Sequence, residues 1–457
     1  MGKYANGDVT RTLRLFNLLH PRNVAAGMEG AYNRKREVMP VLLANEQEGV
    51  RVDEAALARD IALYRKEMTR VDAWLCKRLG NKELNIDADA DLADALEASG
   101  VVTDFVLTKT RQKSVSKDNL TPDMFTDQRV ARALGYRNRL ATCLGTFMES
   151  WLATSKTTGG LLHTSWNQVR QLGKGKSIGA RTGRLSSSPN FQNIPKNFDD
   201  KNDGYKHPSH IKDLLPLPTL RSYILPDKKQ VICHRDYNQQ EIRIMAHFED
   251  GVTLAAYQED PRLDFHNFVR DEIQRVIGVK LERRAVKILN FGMIYGMGLE
   301  ALSNDLGCSK EEARKIKDAQ RKALPGLSEL EKATKERGKT NSYVRTWGGR
   351  VYHVEPPKTV DGRLWTFEYK LLNYLIQGSA ADCTKQALIN YANAPHEGRF
   401  MITVHDEINL SVPKGAVKRE MALLRECMAD VSFDLPMLSD GKTGSDWGSL
   451  TAYEEKK

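Results

Sequence analysis

The chain has 457 residues, with 69 Lys plus Arg against 59 Asp plus Glu, a net charge of +10 and 40% hydrophobic residues. That hydrophobic share can bury a sizeable core, which argues against wholesale disorder, and the length fits roughly three domain-sized units. The charge permits a nucleic-acid partner without requiring one, because acidic lipid or plain solubility would explain it equally.

Cys76, Cys143, Cys233, Cys308, Cys383 and Cys427 are scattered, with no C-x-x-C pair. This argues against a structural zinc site or a disulfide framework and for reduced, mostly buried thiols in a cytosolic compartment. The opening MGKYANGDVTRT lacks an apolar signal core, and no apolar run approaches a membrane span. Asn6 stands where a myristoylation motif wants Ser or Thr. There is no repeat of fixed period.

In chain order, residues 8–150 read as mostly helical, with amphipathic stretches over 54–79 and 132–152 and a polar break over 114–127. Residues 154–210 are rich in Gly, Ser, Asn and Lys and read as loop-dominated. A strand-like run over 229–236 ends at Asp236. A second, over 400–405, meets Asp406 and Glu407 and continues over 408–412, the shape of a β-hairpin with a tight acidic turn. The stretch 240–394 between them reads as mainly helical. The pattern predicts an α+β fold: a small antiparallel sheet with acids at its strand ends, flanked by two helical subdomains.

Two strands of one sheet could bring Asp236 and Asp406 side by side. Paired carboxylates holding two divalent ions are what in-line nucleotidyl transfer requires, and Mg²⁺ suits a site that shares its ligand shell with phosphates. Acids in surface turns are also commonly just solvated, so the pair alone does not decide. The predicted helix over 282–297 is more informative. Arg283, Lys287, Phe291 and Tyr295 recur at spacing four and form one stripe. Cations suit a triphosphate, and rings suit a sugar and a base. Gly292 and Gly296 would thin the helix beside those rings, leaving room for another backbone or a base. A surface helix with two snorkelling cations and two core aromatics would present the same stripe. The loop 181–195, with Arg184, Gln192 and Asn193, mixes a cation, hydroxyls and amides that suit minor-groove edges and phosphates. Its composition also fits an ordinary polar connection. Lys174 and Lys176 just upstream would add backbone contacts or simply be solvated.

Together these segments resemble family A DNA polymerases, in that family's order. Asp236-Tyr-Asn-Gln-Gln-Glu-Ile-Arg243 resembles motif A, Arg283-Arg-Ala-Val-Lys287-Ile-Leu-Asn-Phe291-Gly-Met-Ile-Tyr295-Gly296 motif B, and Val404-His405-Asp406-Glu407 motif C. TGRLSSSPNFQNIP is similar to the primer-contacting segment, the stretch from Asn373 to Asp382 to the late palm helix, and Asp446-Trp447 to the usual C-terminal end.

The resemblance implies a right-hand fold, with an exonuclease-domain remnant and linking helix over 1–39 and a thumb over 40–175. The palm would be split over 176–255 and 370–457, with fingers over 256–369. It implies that Asp236 and Asp406, with the Tyr237 carbonyl, hold two Mg²⁺ ions, for which Mn²⁺ can substitute, and that Glu407 is an auxiliary acid. Arg283, Lys287 and His266 would grip the triphosphate, Lys287 also acting as general acid to the leaving pyrophosphate. Tyr237 and Gln239 join the nucleotide site, Phe291 packs on the sugar, Tyr295 sits at the nascent pair, and Glu241 blocks a 2′-hydroxyl. Arg184, Gln192, Asn193, Asn373, Gln377 and His405 would lie along primer–template DNA, together with Arg243, which would also brace Glu407.

The implied partners are primer–template DNA and dNTPs, with the chain a monomer in a bacterial or phage-infected cytoplasm and no membrane contact. Tyr4-Ala-Asn-Gly-Asp8-Val-Thr resembles the last motif of the 3′–5′ exonuclease domain. Without the earlier carboxylates, no proofreading is expected, and a separate exonuclease or processivity factor is left open. An ordinary short helix with an incidental Tyr and Asp would give the same expectation.

Departures from the family pattern are Gln240 in place of Ile, expected to change polarity beneath the sugar, Tyr369 in place of Arg, Leu375 in place of Pro, and a slightly longer loop over 171–180. A single-subunit RNA polymerase is disfavoured by Glu241, and an inactive nucleic-acid-binding module by the intact Asp236, Asp406, Arg283 and Lys287.

Overall fold

A computed structural model describes residues 2–170, 179–198, 205–360 and 362–454. Lys174 and Lys176, and most of the longer loop over 171–180, lie outside the described residues. Residues 8–150 are mostly helical, as the periodicity predicts. Helix α1 (Gly2–Ala25) carries Tyr4 and Asp8 on an exposed surface, and α2 (Glu29–Glu48) leads into the short strand β1 (Val50–Val52). Helix α3 (Glu54–Arg78) starts where the Asp53 carboxylate accepts the Ala56 N–H at 2.9 Å, and it ends on Lys77 and Arg78, where cations oppose the helix dipole. After α4 (Asp89–Ala98) and the polar break, α5 (Gln128–Ala141) passes through a π-helical turn (Thr142–Met148) into α6 (Glu149–Thr158). Leu57, Val71 and Leu75 of α3 pack with Val130, Leu134 and Leu140 of α5 in one apolar core.

Beyond the end of α6, the loop-dominated stretch holds only β2 (Leu161–Leu162), β3 (Ser165–Asn167) and β4 (Ser186–Ser188) as regular elements among its described residues. Beyond β5 (Ile224–Leu225), strand β6 (Gln230–Tyr237) runs within one residue of its predicted bounds. The mainly helical stretch then holds α7 (Gln240–Glu249), α8 (Val252–Glu259), α9 (Phe265–Ile277), α10 (Arg283–Ile294), α11 (Leu299–Leu306), α12 (Lys310–Ala323) and α13 (Pro325–Thr340). Two small hairpins interrupt it, β7 (Tyr343–Arg345) with β8 (Val351–His353) and β9 (Lys358–Val360) with β10 (Arg363–Trp365). The long helix α14 (Leu371–Asn393) follows, then β11 (Arg399–Val404), β12 (Glu407–Pro413), α15 (Val417–Ala429), β13 (Ser439–Gly444) and β14 (Thr451–Ala452).

The central sheet has five strands in the order β11-β12-β6-β13-β14, all antiparallel. Strand alternation sorts its side chains. On β6, Ile232 belongs to the same core as α3 and α5, whereas Cys233 belongs to a second core built around α7, α9, α10 and α14. On β12, Ile408, Leu410 and Val412 face that second core, so Glu407, Asn409 and Ser411 fall on the other face, opposite Asp236, His234 and Ile232. The polar face of the sheet is therefore fixed by the period-2 pattern of two strands. Asn45 of α2 clips this sheet in place. Its amide donates to the Phe400 and Met401 carbonyls at 3.0 and 2.9 Å, where β11 shifts register, and accepts the Trp166 indole N–H at 2.8 Å.

Candidate active site

The acids meet where β6 ends and β12 begins. Asp236 is the cross-strand partner of Glu407, and the Tyr237 N–H donates to the Asp406 carbonyl at 3.2 Å. The turn is closed by His405 with φ +60°, a left-handed conformation that few side chains adopt. Burial, then Asp236 and Glu407, hold the Asp406 carboxyl above the ordinary carboxylate range, and burial and then Glu407 do the same for Asp236. The Asp236 Oδ1 is buried and has no hydrogen-bond partner. Crowded carboxylates with an unpartnered oxygen are what a divalent cation would relieve, so the residues present fit a metal site.

Glu407 is buried and flanked by Arg221 at 3.4 Å and Lys196 at 3.6 Å. Arg221 is itself anchored on the Trp447 ring at 3.9 Å and on the Ile194 carbonyl.

Above this floor, α7 and α10 face each other. Glu241, in the first turn of α7, forms an ion pair with Arg184 and accepts the Tyr295 hydroxyl at 3.0 Å. Phe291 and Tyr295 stack at 5.7 Å, and His266 lies 5.9 Å from Phe291. Asp264 caps α9 through the His266 N–H and also pairs with Arg283 at 2.9 Å, tying the start of α10 to the start of α9. Lys287 is exposed on the same side of α10. His266 is buried, and its Nδ1 sits 3.1 Å from the Asn290 amide nitrogen. Burial, then Arg283, pulls its pKa down to about 4. Asn373 and Gln377, one turn apart on α14, are half-buried, and the Gln377 amide approaches the Tyr295 hydroxyl. Asn193 is exposed.

The model of DNA polymerase family A matches residues 54–449. The chain belongs to DNA polymerase family A. It is 27% identical to DNA polymerase I of Rhizobium leguminosarum over 97% of this chain and 43% of that protein. It is 30% identical to that of Chloroflexus aurantiacus over 70% of this chain and 32% of that protein. The thermostable DNA polymerase I of Thermus aquaticus is 28% identical over 92% of this chain and 48% of that one. The chain thus spans about half, or less, of the length of these relatives. The polymerase domain of Pol1 from M. smegmatis, solved with DNA primer-template and dNTP, superposes with a TM-score of 0.74 at 24% identity, covering 91% of this chain and 70% of that one.

Within this family A chain, several expectations need correction. Arg243 neither braces Glu407 nor faces DNA: it is buried, donates to the Asn238, Pro436 and Pro261 carbonyls, and lies over the Tyr257 ring. Arg221 and Lys196 take the bracing role instead. Gln192 is buried and donates to the Thr403 carbonyl at 3.3 Å, so its side chain holds the loop to the sheet rather than facing DNA. The Gln239 amide is spent inside the protein, on the Leu263 carbonyl, the Tyr257 hydroxyl and the Phe265 N–H.

Gln240 does not change polarity beneath a sugar. It points into α14, 3.1 Å from the Thr384 hydroxyl. The space beside Gly292 and Gly296 is filled from within: a Cβ on Gly292 would meet Met297 at 3.3 Å, and one on Gly296 would meet the Tyr369 ring at 2.9 Å. Tyr369, the departure from Arg, therefore packs under the end of α10. The predicted helix stops at Ile294, so Tyr295 is its C-terminal cap rather than a helical residue.

Sequence reasoning passed over His234, Arg221 and the buried amides Asn290 and Gln320. For His234 the signal was available, since it stands two residues before Asp236 in a strand and so shares its face.

Proposed function

We propose that the chain is a DNA-templated DNA polymerase that extends a primer 3′ end with dNTPs. The observation that carries this reading is the meeting of Asp236 and Asp406 at adjoining strand ends, with a buried Asp236 carboxylate oxygen that has no hydrogen-bond partner. Asp236, Asp406 and the Tyr237 carbonyl would hold two divalent ions, Mg²⁺ by preference. When bound, these lower the pKa of an attacking hydroxyl and offset charge on a leaving pyrophosphate.

The side chains supply the rest. Arg283 and Lys287 present cations to a triphosphate, and Lys287 would protonate the leaving group. His266, neutral by its depressed pKa, serves as a hydrogen-bond donor rather than a charge. Phe291 covers the sugar, and Glu241, held by Arg184 and Tyr295, closes the 2′ side. Asn193, Asn373, Gln377, Arg184 and His405 line the path of a primer–template. Residues 40–175 would serve as thumb, 176–255 and 370–457 as palm and 256–369 as fingers. No helix among the described residues is long and apolar enough to cross a membrane.

A primer-extension assay with dNTPs or rNTPs and Mg²⁺ tests this reading. Template-dependent dNTP incorporation supports it, preferential rNTP incorporation would indicate an RNA polymerase, and DNA binding without extension would leave only a binding module.

A further inference from the structure

The ribbon formed by β9 and β10 is open on both faces. Its two strands pair only with each other, and neither Leu364 nor Trp365 joins either hydrophobic core. Leu364 is 68% exposed and Trp365 53% exposed, so the folded chain gains little from burying either. The strand register sorts the side chains. Trp365 stands opposite Lys358, and Arg363 lies two residues before Trp365, so the indole and two cations share one face. Lys358 and Arg363 are exposed and have no hydrogen-bond or ion-pair partner among the described residues. We propose that this face is a docking surface for single-stranded nucleic acid, with a base stacked on Trp365 and backbone phosphates met by Lys358 and Arg363. Its occupant is then the unpaired 5′ overhang of the template, an assignment that rests on the polymerase reading above.

Charge and shape choose this occupant. A ring accepts the π-face of any base while cations follow the phosphates, which is how single strands are held without regard to sequence. A protein partner would want a contiguous apolar centre. Here Leu364 falls on the opposite face, with Thr359, and the face that bears Trp365 is cationic around it. The described acids beside the ribbon are already committed. Glu355 pairs with Arg181 at 2.6 Å and Lys370 at 2.9 Å and accepts the Tyr374 hydroxyl, while Glu368 is drawn to the Thr366 hydroxyl and Lys339.

Position points the same way. Through Glu355, the chain entering β9 is tied to the loop that carries Arg184 and to the start of α14, just before Asn373. On leaving β10, Trp365, Phe367 and Tyr369 follow at every second residue. Phe367 lies 6.4 Å from Tyr369 under the Lys370 ammonium, and the Tyr369 ring packs against Gly296, next to Tyr295. Both ends of the ribbon are therefore anchored beside residues assigned above to the primer–template and the nascent pair.

The test reads binding, without metal or dNTP. Labelled primer–templates with a 5′ template overhang of about ten nucleotides, the same overhang made of abasic units, or blunt ends are titrated with the full chain. Wild type is expected to bind the base-containing overhang more tightly than the other two. Trp365→Ala should lower that affinity roughly five- to 150-fold without changing the affinity for blunt duplex, and Trp365→Phe should restore most of it. Arg363→Ala should reduce the slope of log affinity against log salt by about 0.7. Circular dichroism checks folding, and Arg363→Ala reads the same face should Trp365→Ala be unstable. Primer extension by wild type is assayed separately. Trp365-dependent overhang binding without extension would keep the single-strand surface and remove the polymerase reading. Extension together with wild-type overhang binding by Trp365→Ala would keep the reading and overturn the surface. An equal loss on blunt duplex would move Trp365 onto paired DNA, and conversion of a dimer to a monomer with DNA affinity unchanged would make the ribbon a contact between copies. Either result would overturn the proposal.

Discussion

Tyr295, at the end of α10, donates its hydroxyl to Glu241, at the start of α7, at 3.0 Å. That bond joins the helix bearing the proposed triphosphate cations to α7, which follows the strand that carries Asp236. The Glu241 carboxylate also pairs with Arg184, so both of its oxygens are engaged, and its orientation is set from two sides. Burial and the Glu241 charge push the Tyr295 hydroxyl up to about 12, so it remains a donor at any working pH.

Replacing Glu241 by Ala should therefore admit ribonucleotides. In the proposed reading the carboxylate stands where a 2′-hydroxyl would go, and truncation vacates that place. Pocket differences of this size are worth roughly 10–200-fold in relative efficiency. The efficiency of dNTP use should fall as well, because Arg184 and Tyr295 lose their shared acceptor. The check is the ratio of dNTP to rNTP incorporation in wild type and mutant. An unchanged ratio would place the gate elsewhere.

Asp406→Asn should abolish extension while leaving primer–template affinity largely intact. Its carboxylate sits with Asp236 rather than among the side chains proposed to line primer–template DNA. Loss of a charged metal ligand should cost on the order of a thousandfold in rate or more. Single-turnover extension and a binding titration on the same preparation separate the two effects. More than a tenth of the wild-type rate under saturating Mg²⁺ would sink the assignment.

Lys385 gives a prediction that is independent of function. It is buried in α14, its Nζ donates only one hydrogen bond among the described contacts, to the Gly183 carbonyl at 2.8 Å, and burial, then Arg350, pulls its pKa down to about 7. The unfolded chain holds this proton up to about pH 10.4. Between the folded and unfolded values the unfolded state binds more protons, so stability rises with pH there and is flat below about 7. Lys385→Met removes that slope. Denaturant unfolding at pH 7 and pH 9 should show wild type gaining on the variant by roughly 1 kcal/mol per pH unit. Parallel behaviour of the two proteins would mean that Lys385 stays charged when buried.

The proposed metal floor was legible because Asp236 stands near the end of one strand and Glu407 at the start of another, and the local period-2 pattern sets the face that those acids share. The stripe on α10 was legible for the same reason, at the helical period. What escaped was set by residues far away in sequence. Arg243 reads as a cation following a motif, yet Pro261 and Pro436 bring the carbonyls that bury it. Gln240 reads as a polar residue near a substrate, yet α14 supplies its partner. Strand β13, with the sequence Ser-Asp-Gly-Lys-Thr-Gly, carries no hydrophobic alternation. It is a strand because its backbone pairs with β6. The hairpins within 343–365 are three-residue strands, too short for a period to register.

The His266 ring is oriented by a chain of buried amides, which makes Gln320 a positioning residue for the proposed nucleotide site. Gln320 Nε2 donates to Asn290 Oδ1 at 2.7 Å, so the Asn290 nitrogen is the atom turned toward His266 Nδ1 at 3.1 Å. Nδ1 is therefore the acceptor, and Nε2 carries the proton that a phosphate oxygen would receive. Because the imidazole pKa is about 4, the ring is neutral across pH 6–9 and that single proton is its whole contribution. Gln320→Leu keeps the volume but removes the donor. Asn290 can then turn over, present its oxygen to Nδ1, and draw the ring proton away from Nε2. A hydrogen bond to a charged group is worth about 1.5–3 kcal/mol, so dNTP efficiency should fall roughly ten- to 150-fold, carried mainly by KM. Primer–template affinity should not change, because all three residues are buried. In nitrogen-15 spectra, His266 should switch from the Nε2–H to the Nδ1–H tautomer in the variant, a change that a merely destabilised helix would not produce. If the tautomer switched and KM stayed at the wild-type value, His266 would not be donating to the triphosphate, and its place in the nucleotide site would have to be given up.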